Sequence, residues 1–302
     1  MPPRVPVNVA VDIGGTKIAV GLVDGDGTLV HRARRPTPAG DAEAVWSSVE
    51  TLLEDAIAAS EGRATGVGIA SAGPIDLRSG TVSPINIAPW QHFPIVERVA
   101  AVTRLPVRLA GDGLCMALGE QWRGAGRGAQ FLLGMVVSTG VGGGLVLDGA
   151  PVAGRTGNAG HVGHVVVAPE GGDPCTCGGH GCVETIASGP GMVRWARRHG
   201  WDGTDAKALG EAANHGDALA RSAFDRGARA VAAMIASVGA VCDLDLVVIG
   251  GGVARSGPLL FEPLRAALGD YAGLGFLRGL RVVPAALGGD AGLVGAAALV
   301  RD

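Results

Sequence analysis

Several common features are missing from this chain of 302 residues. No charged amino-terminal region precedes a long apolar core: Met1 to Ala10 runs directly into a strand-like stretch, which argues against a secretory leader. The longest apolar-looking run, Ala230 to Cys242, is too short to cross a bilayer. It follows the amphipathic segment Asp217 to Arg229 and therefore reads as part of a buried helix. A basic stripe is also lacking. Lys and Arg total 25 against 28 Asp and Glu, the formal net charge is -3, and the basic residues fall in short groups such as Arg34-Arg35 and Arg197-Arg198. Nothing here would draw in nucleic acid. Cysteine is scarce and odd in number, at 5, and it is clustered, which fits a reducing cytoplasm and a metal better than a disulfide framework.

Glycine, by contrast, is abundant, at 52 residues with no collagen period or low-complexity tract. That much glycine implies many tight turns and close backbone approaches. The length suits two domains of ordinary size. Three of the cysteines fall in one short run, Cys175-Thr176-Cys177-Gly178-Gly179-His180-Gly181-Cys182, and His164 stands eleven residues before the first. Three thiolates and one imidazole make a complete tetrahedral set for zinc, with no position left for water, so the expected site is structural. His180, two residues from Cys182, is strained for the ligand role, and His31, His92, His199 and His215 are read as ordinary histidines.

In chain order, the strand Val7 to Val11 turns through Asp12-Ile13-Gly14-Gly15-Thr16-Lys17 into a second strand, Ile18 to Val23. Such a bend exposes backbone N–H groups and a hydroxyl, the makings of an anion nest, although an ordinary hairpin has the same appearance. No helix follows the glycines, so the turn is neither a Walker loop nor a dinucleotide fingerprint. Thr28 to Arg35 completes a meander, and Asp41 caps a helix reaching Gly62. Gly73 and Asn86 lie in turn-rich stretches after the strand Ala64 to Ala70, where sites on α/β sheets tend to lie. Asn86 reads equally as a polar contact and as a satisfied turn asparagine. Asp112, between Gly111 and Gly113 at the end of a strand, precedes a helix predicted over Leu114 to Trp122 and is poised to accept a proton from a hydroxyl. The bend Thr139-Gly140-Val141-Gly142-Gly143-Gly144 repeats the strand, glycine, strand logic of the first hairpin, and Gly250-Gly251-Gly252 closes a later strand. Helices are expected over Ser188 to His199, over Thr204 to His215 with Thr204 as cap, and over Asp217 to Val241. A small-residue helix is expected over Leu287 to Ala297.

The run Gly-His-x10-Cys-x-Cys-Gly-x-x-Gly-Cys-x-Glu, from Gly163 to Glu184, resembles the signature of the ROK family of bacterial sugar kinases and sugar-responsive repressors. The resemblance implies an α/β protein of the two-lobed actin-like fold with a cleft between lobes. Residues 1–112 joined by 290–302 would form the smaller lobe, and 113–289, with the zinc loop 161–184, the larger. It implies an ATP-dependent kinase that phosphorylates a hexose at its 6-hydroxyl. ATP phosphates would meet Gly14, Gly15, Thr16, Lys17, Thr139, Gly140 and Gly142, and adenosine would meet Gly250, Gly251 and Gly252. Asp12 would hold Mg2+, Asp112 would be the base, and Gly73, Asn86, Gly111, Asp112, His161, His164 and Glu184 would face the sugar. His164, Cys175, Cys177 and Cys182 would hold zinc. Family members are commonly dimers or tetramers, and a repressor's DNA-binding region would have to precede Asp12. This sequence departs from the family pattern at two sugar-facing positions, Gly111 in place of asparagine and His161 in place of glutamate. N-acetylmannosamine, an amino sugar of the kanosamine type or a cyclitol therefore stand beside glucose as substrates, and a sugar sensor without kinase activity stands beside the enzyme.

Overall fold

The computed structural model describes residues 5–301. The chain opens on β1 (Val7–Ile13), β2 (Lys17–Asp24) and β3 (Leu29–Pro36), an antiparallel meander. β1 is covered on both faces, with Val7, Val9, Val11 and Ile13 in the core of the first half and Ala10 in a core on the other side. β3 is the edge strand, and its exposed Arg32, Arg34 and Arg35 discourage pairing with another chain. α1 (Ala42–Ser60) begins where Asp41 accepts a hydrogen bond from the Ala44 N–H at 2.8 Å. Val45, Val49, Leu52, Leu53 and Ala56 recur at helical spacing and form its buried face.

β4 (Ala64–Ser71), the short ribbon β5 (Ile75–Asp76) and β6 (Thr81–Val82), α2 (Ile95–Thr103) and β7 (Val107–Gly111) complete the first half. Its main sheet runs β3-β2-β1-β4-β7. Trp90 is fully buried, stacked on Phe93 with centroids 4.2 Å apart, and its indole N–H donates to Ala42 O.

α3 (Asp112–Arg123) leads into the second half: β8 (Leu132–Val137), β9 (Val141–Leu147), β10 (Ala150–Val152), α4 (Val183–Ala187), α5 (Gly189–Arg198), α6 (Ala206–Asn214), α7 (Ala218–Cys242), β11 (Leu246–Gly250), α8 (Pro258–Tyr271), β12 (Arg281–Pro284) and α9 (Ala291–Ala298). The second sheet runs β10-β9-β8-β11-β12. Like the first, it is a three-stranded antiparallel meander followed by two parallel strands. Each sheet carries its own apolar core. A third core is built from α3, α9 and the facing residues of both sheets, including Ala10, Ala70, Val146 and Val248. This is the two-lobed actin-like arrangement.

Several element boundaries differ from the sequence reading. The helix expected from Leu114 begins at Asp112, because Gly111 is extended (φ -64, ψ 147) and serves as its cap residue. The single helix expected from Ser188 is two. Ser188 is extended, ends α4 and caps α5 by accepting from the Gly191 N–H, a break that Gly189-Pro190 makes easy. Asp205 rather than Thr204 caps α6, accepting from the Ala208 N–H at 2.9 Å. The segment from Leu287 is first a turn of 3-10 helix, Gly288–Asp290, and only then α9.

α3 and α9 cross so closely that a methyl group on Gly295 would overlap the Cys115 carbonyl, and one on Gly119 would overlap the Ala291 carbonyl. Glu120 of α3 is a fully buried acid. Its carboxylate accepts from the backbone N–H groups of Ala125 (2.8 Å), Ala286 (3.0 Å) and Leu287 (2.8 Å), tying the connection into α9 to α3. Glu120→Ala would leave three part-buried N–H groups without their acceptor, at roughly 1–1.5 kcal/mol each. The expected result is a lower urea midpoint at unchanged m-value, worth roughly 3–5 kcal/mol, with Glu120→Gln falling in between.

Candidate active site and metal centre

The first glycine bend is tight: the Gly14 N–H donates to Lys17 O at 3.0 Å. Thr37, just past β3, fastens it from outside, its hydroxyl donating to Gly14 O at 2.6 Å and its N–H to Thr16 O at 3.1 Å. Asn86 lies against the bend, because a methyl group on Gly15 would stand 2.6 Å from its Cγ. At the end of β1, the Asp12 side chain is 15% exposed, with the Lys17 ammonium 3.8 Å away. Burial raises its pKa from 3.8 to about 6; Lys17 lowers it and Asp112 raises it further. Among the described residues no hydrogen-bond donor reaches the Asp12 carboxylate. A buried acid with one nearby cation and a second acid in its field is a plausible seat for a divalent ion.

Asp112 is the first residue of α3, and its carboxylate accepts from the Gly113 N–H at 2.7 Å. Desolvation at this position pushes its pKa up, while the Gly113 N–H and the charge of His161 pull it down. The side chain itself is open to water, so solvent screening keeps the change moderate. Gly113 is pressed against Gly143: a methyl group there would overlap the Gly143 carbonyl. Asp112 is thus held between the two halves, in the field of Asp12 and against the strand that leaves the second bend. A Cβ at Gly111 would meet nothing within 4 Å, so space lies open beside the acid.

His161 accompanies Asp112 from the second half. One ring nitrogen, Nδ1, is 2.9 Å from Asn158 O, and the other, Nε2, would lie 3.2 Å from a Cβ on Gly73. Asn158 forms a bridge not anticipated from the sequence. Its amide accepts from the Ile75 N–H at 3.0 Å and donates to Ile75 O at 2.7 Å, acting as a partner strand for a single residue. Thr37, Asn158 and Glu120 are the contributors that sequence reasoning missed. Each is an ordinary polar residue in its local context, with no motif around it.

The second bend is fastened differently. The Ser138 N–H donates to Gly140 O at 2.8 Å, and the Val141 N–H donates to the Glu184 carboxylate at 2.8 Å. Gly142 faces open space, and Gly252 lies beside the Ser138 hydroxyl, which would stand 3.2 Å from an added Cβ. The second bend and the glycine triplet therefore meet at the ends of the parallel neighbours β8 and β11. Thr139 and Glu184 also line a cavity of about 600 Å³ together with Cys175, Ser188 and Arg194.

The donor atoms of His164, Cys175, Cys177 and Cys182 all lie within 4.8 Å of one another. Cys175 Sγ is 3.6 Å from His164 Nδ1, and Cys177 Sγ is 3.7 Å from Cys182 Sγ. Around a tetrahedral zinc with bonds of about 2.3 Å to sulfur and about 2.0 Å to nitrogen, such edges would measure about 3.5–3.8 Å, so the four groups fit the ion. Burial, followed by the neighbouring Cys177 and Cys175, pushes the Cys182 thiol up to about 12. A bound cation would reverse that shift, since ligating thiols deprotonate. Cys182 immediately precedes α4, whose second residue is Glu184, so the metal loop is coupled directly to the second bend.

Two glycine bends, an acid between them and a two-lobed frame are the features of a sugar kinase of the actin-like class. The chain belongs to the ROK family, whose profile it matches over residues 8–302. It is 37% identical to a glucokinase of Thermotoga maritima, covering 97% of each chain. It is also 39% identical to an N-acetylmannosamine kinase of Salmonella typhimurium, over 86% of this chain and 87% of that one. Among solved structures, the ROK hexokinase of Thermus thermophilus superposes with a TM-score of 0.86 at 36% identity, covering 96% of each chain.

Proposed function

We propose that this protein is an ATP-dependent sugar kinase that transfers the γ-phosphoryl group of ATP to the 6-hydroxyl of a hexose. The observation that carries the reading is the placement of Asp112, in the field of Asp12 beside the first bend and next to Gly113, which is pressed against Gly143 beyond the second. Phosphoryl transfer demands positioning and charge neutralisation more than covalent chemistry. Backbone N–H groups of Gly14, Gly15, Thr16, Thr139, Gly140 and Gly142 would hold the phosphates, with Lys17 adding charge and Gly250, Gly251 and Gly252 admitting the flat base. Mg2+, when bound, would neutralise phosphate charge, and Asp12 would hold it.

The hexose oxygen forms a bond to the γ-phosphorus as the bond from that phosphorus to the bridging oxygen breaks and ADP departs. Asp112 takes the hydroxyl proton. An alcohol is a far weaker acid than a carboxylic acid, so that proton moves late, as the new P–O bond forms. Closure of the lobes keeps water out and limits idle hydrolysis. Gly73, Asn86, Gly111, His161, His164 and Glu184 would surround the sugar. His164, Cys175, Cys177 and Cys182 would hold structural zinc. We take residues 1–112 with 290–302 as one lobe and 113–289 as the other, in a cytoplasmic homodimer or homotetramer.

Glucose is the first substrate to test. The space beside Gly111 and the imidazole at His161 favour a second reading, in which a substituted hexose such as N-acetylmannosamine is accepted. ADP production across a panel of glucose, N-acetylmannosamine, amino sugars and cyclitols is expected to give the highest kcat/KM with a hexose bearing a free 6-hydroxyl. Absence of sugar-dependent ADP release over the whole panel would leave only a sugar-binding role.

A further inference from the structure

A second cavity lies away from the chemistry, at the other end of the helices that join the lobes. α3 leaves Asp112 at the cleft, and α9 begins beside Asp12, where a methyl group on Gly292 would stand 3.0 Å from the carboxylate. At about 1.5 Å per residue, their distant ends stand roughly 10–15 Å from the two acids. There a cavity of about 710 Å³ opens between the lobes. Arg108 reaches it from β7, Arg301 from just beyond α9, and Arg127 from the loop before β8. Three arginines from three segments thus line one hollow, and no Asp or Glu lines it with them.

Among the described residues, none of these three arginines has an ion pair or a side-chain hydrogen bond. Four arginines elsewhere are held by acids, Arg32 by Asp290, Arg98 by Glu43, Arg198 by Asp173 and Arg229 by Asp225. The Arg301 guanidinium lies 4.8 Å over the Trp122 ring, which gives the hollow an aromatic wall. Gln121 stiffens another side, its amide donating to Ala129 O at 3.2 Å.

Like charges collected in a concave site repel one another and focus the field on an incoming anion. Guanidinium forks match the oxygens of a phosphate group two at a time. The volume is that of a small-molecule site. We infer that this interlobe cavity binds a small phosphate-bearing anion, with Arg108, Arg127 and Arg301 on the phosphate oxygens and Trp122 against the remainder of the molecule. Arg108 belongs to the first sheet and Arg127 leads into the second, so the bound anion ties lobe to lobe behind the cleft.

Calorimetric titration of the full-length protein with orthophosphate, and separately with glucose 6-phosphate, tests this without reference to catalysis. Wild-type protein is expected to show a binding event that weakens ~10-fold or more in Arg108→Ala and in Arg127→Glu, and disappears in the double variant. The same event is expected to survive Lys17→Ala, which alters only the first bend. Tighter binding of the ester would identify a phosphorylated metabolite as the ligand, and equal binding would identify free phosphate. Either ranking upholds the cavity. Identical titrations for wild type and the folded arginine variants, or no binding of either probe, would overturn it. Both arginines are exposed, and unchanged thermal midpoints would certify that the variants fold.

Discussion

Asp112→Asn is expected to lower kcat by about 10²–10⁴-fold while leaving the affinity for ATP nearly unchanged. The amide keeps the shape of the side chain and can still accept from the Gly113 N–H, so α3 should start where it does now. What disappears is the capacity to take a proton. The pH profile provides a readout that a structural defect would not. Asp112 must be ionised to act and its pKa is raised, so the acid limb of kcat should be shifted upward from that of an ordinary carboxylate. Asp12 works in the same direction. With its pKa raised to about 6, it gains a proton as the pH drops through that value and loses its hold on a divalent ion. Wild-type kcat/KM is therefore expected to fall as the pH decreases through about 6. An Asp112→Asn protein with wild-type kcat would refute the base assignment outright.

Removal of the metal should have the next largest effect. Cys177→Ser, or dialysis of the wild type against a strong chelator, is expected to reduce bound zinc from one per chain to none. The segment between Val166 and Cys182 makes an isolated antiparallel bridge, and Pro174 makes another with His180. The four ligand side chains stand at either end of these sparse pairings, so the loop should become a site of rapid proteolysis without its ion. Release of Cys182 also loosens the start of α4 and with it the Glu184 carboxylate that fastens the Val141 N–H. Misplacement of that order costs roughly 10²-fold in kcat/KM for the sugar. The first core has no residue from the loop and most of the second lies outside it, so circular dichroism should remain near that of the intact protein. Zinc content by atomic absorption and kcat/KM on the same samples decide the matter. Metal-free protein with undiminished kcat/KM would show that the loop has no part in placing the sugar.

The features read successfully from the sequence are those whose partners stand close along the chain. Cys175, Cys177, Cys182 and His164 lie close along the chain, and their donor atoms gather within 4.8 Å of one another. Asp41 and Asp217 cap helices three residues ahead of the N–H groups they accept from, so helix starts could be located without knowing the fold. Both glycine bends are hairpins, closed by the two strands that flank them. Where the reading failed locally, the competing signals were nearly equal. Thr204 and Asp205 are both good caps, and Ser188 looks like the middle of a helix until its extended backbone is seen.

The tertiary structure decided everything that depends on contact between distant segments. Thr37 grips Gly14 from 23 residues away, Asn158 pairs with Ile75 across 83, and Glu120 holds Leu287 across 167. None of these residues has a neighbour in sequence that would betray its partner: Thr37 reaches Gly14 only when β3 pairs with β2, and the other two pairings form only once the two halves have been brought together. The empty space at Gly111 and the arginines gathered around Trp122 are of the same kind. Residue type, periodicity and ligand spacing act over a few bonds and can be read from the chain. The arrangement of an acid, two bends and the crossed helices α3 and α9 depends on which surfaces exclude water together, a property of the whole folded molecule.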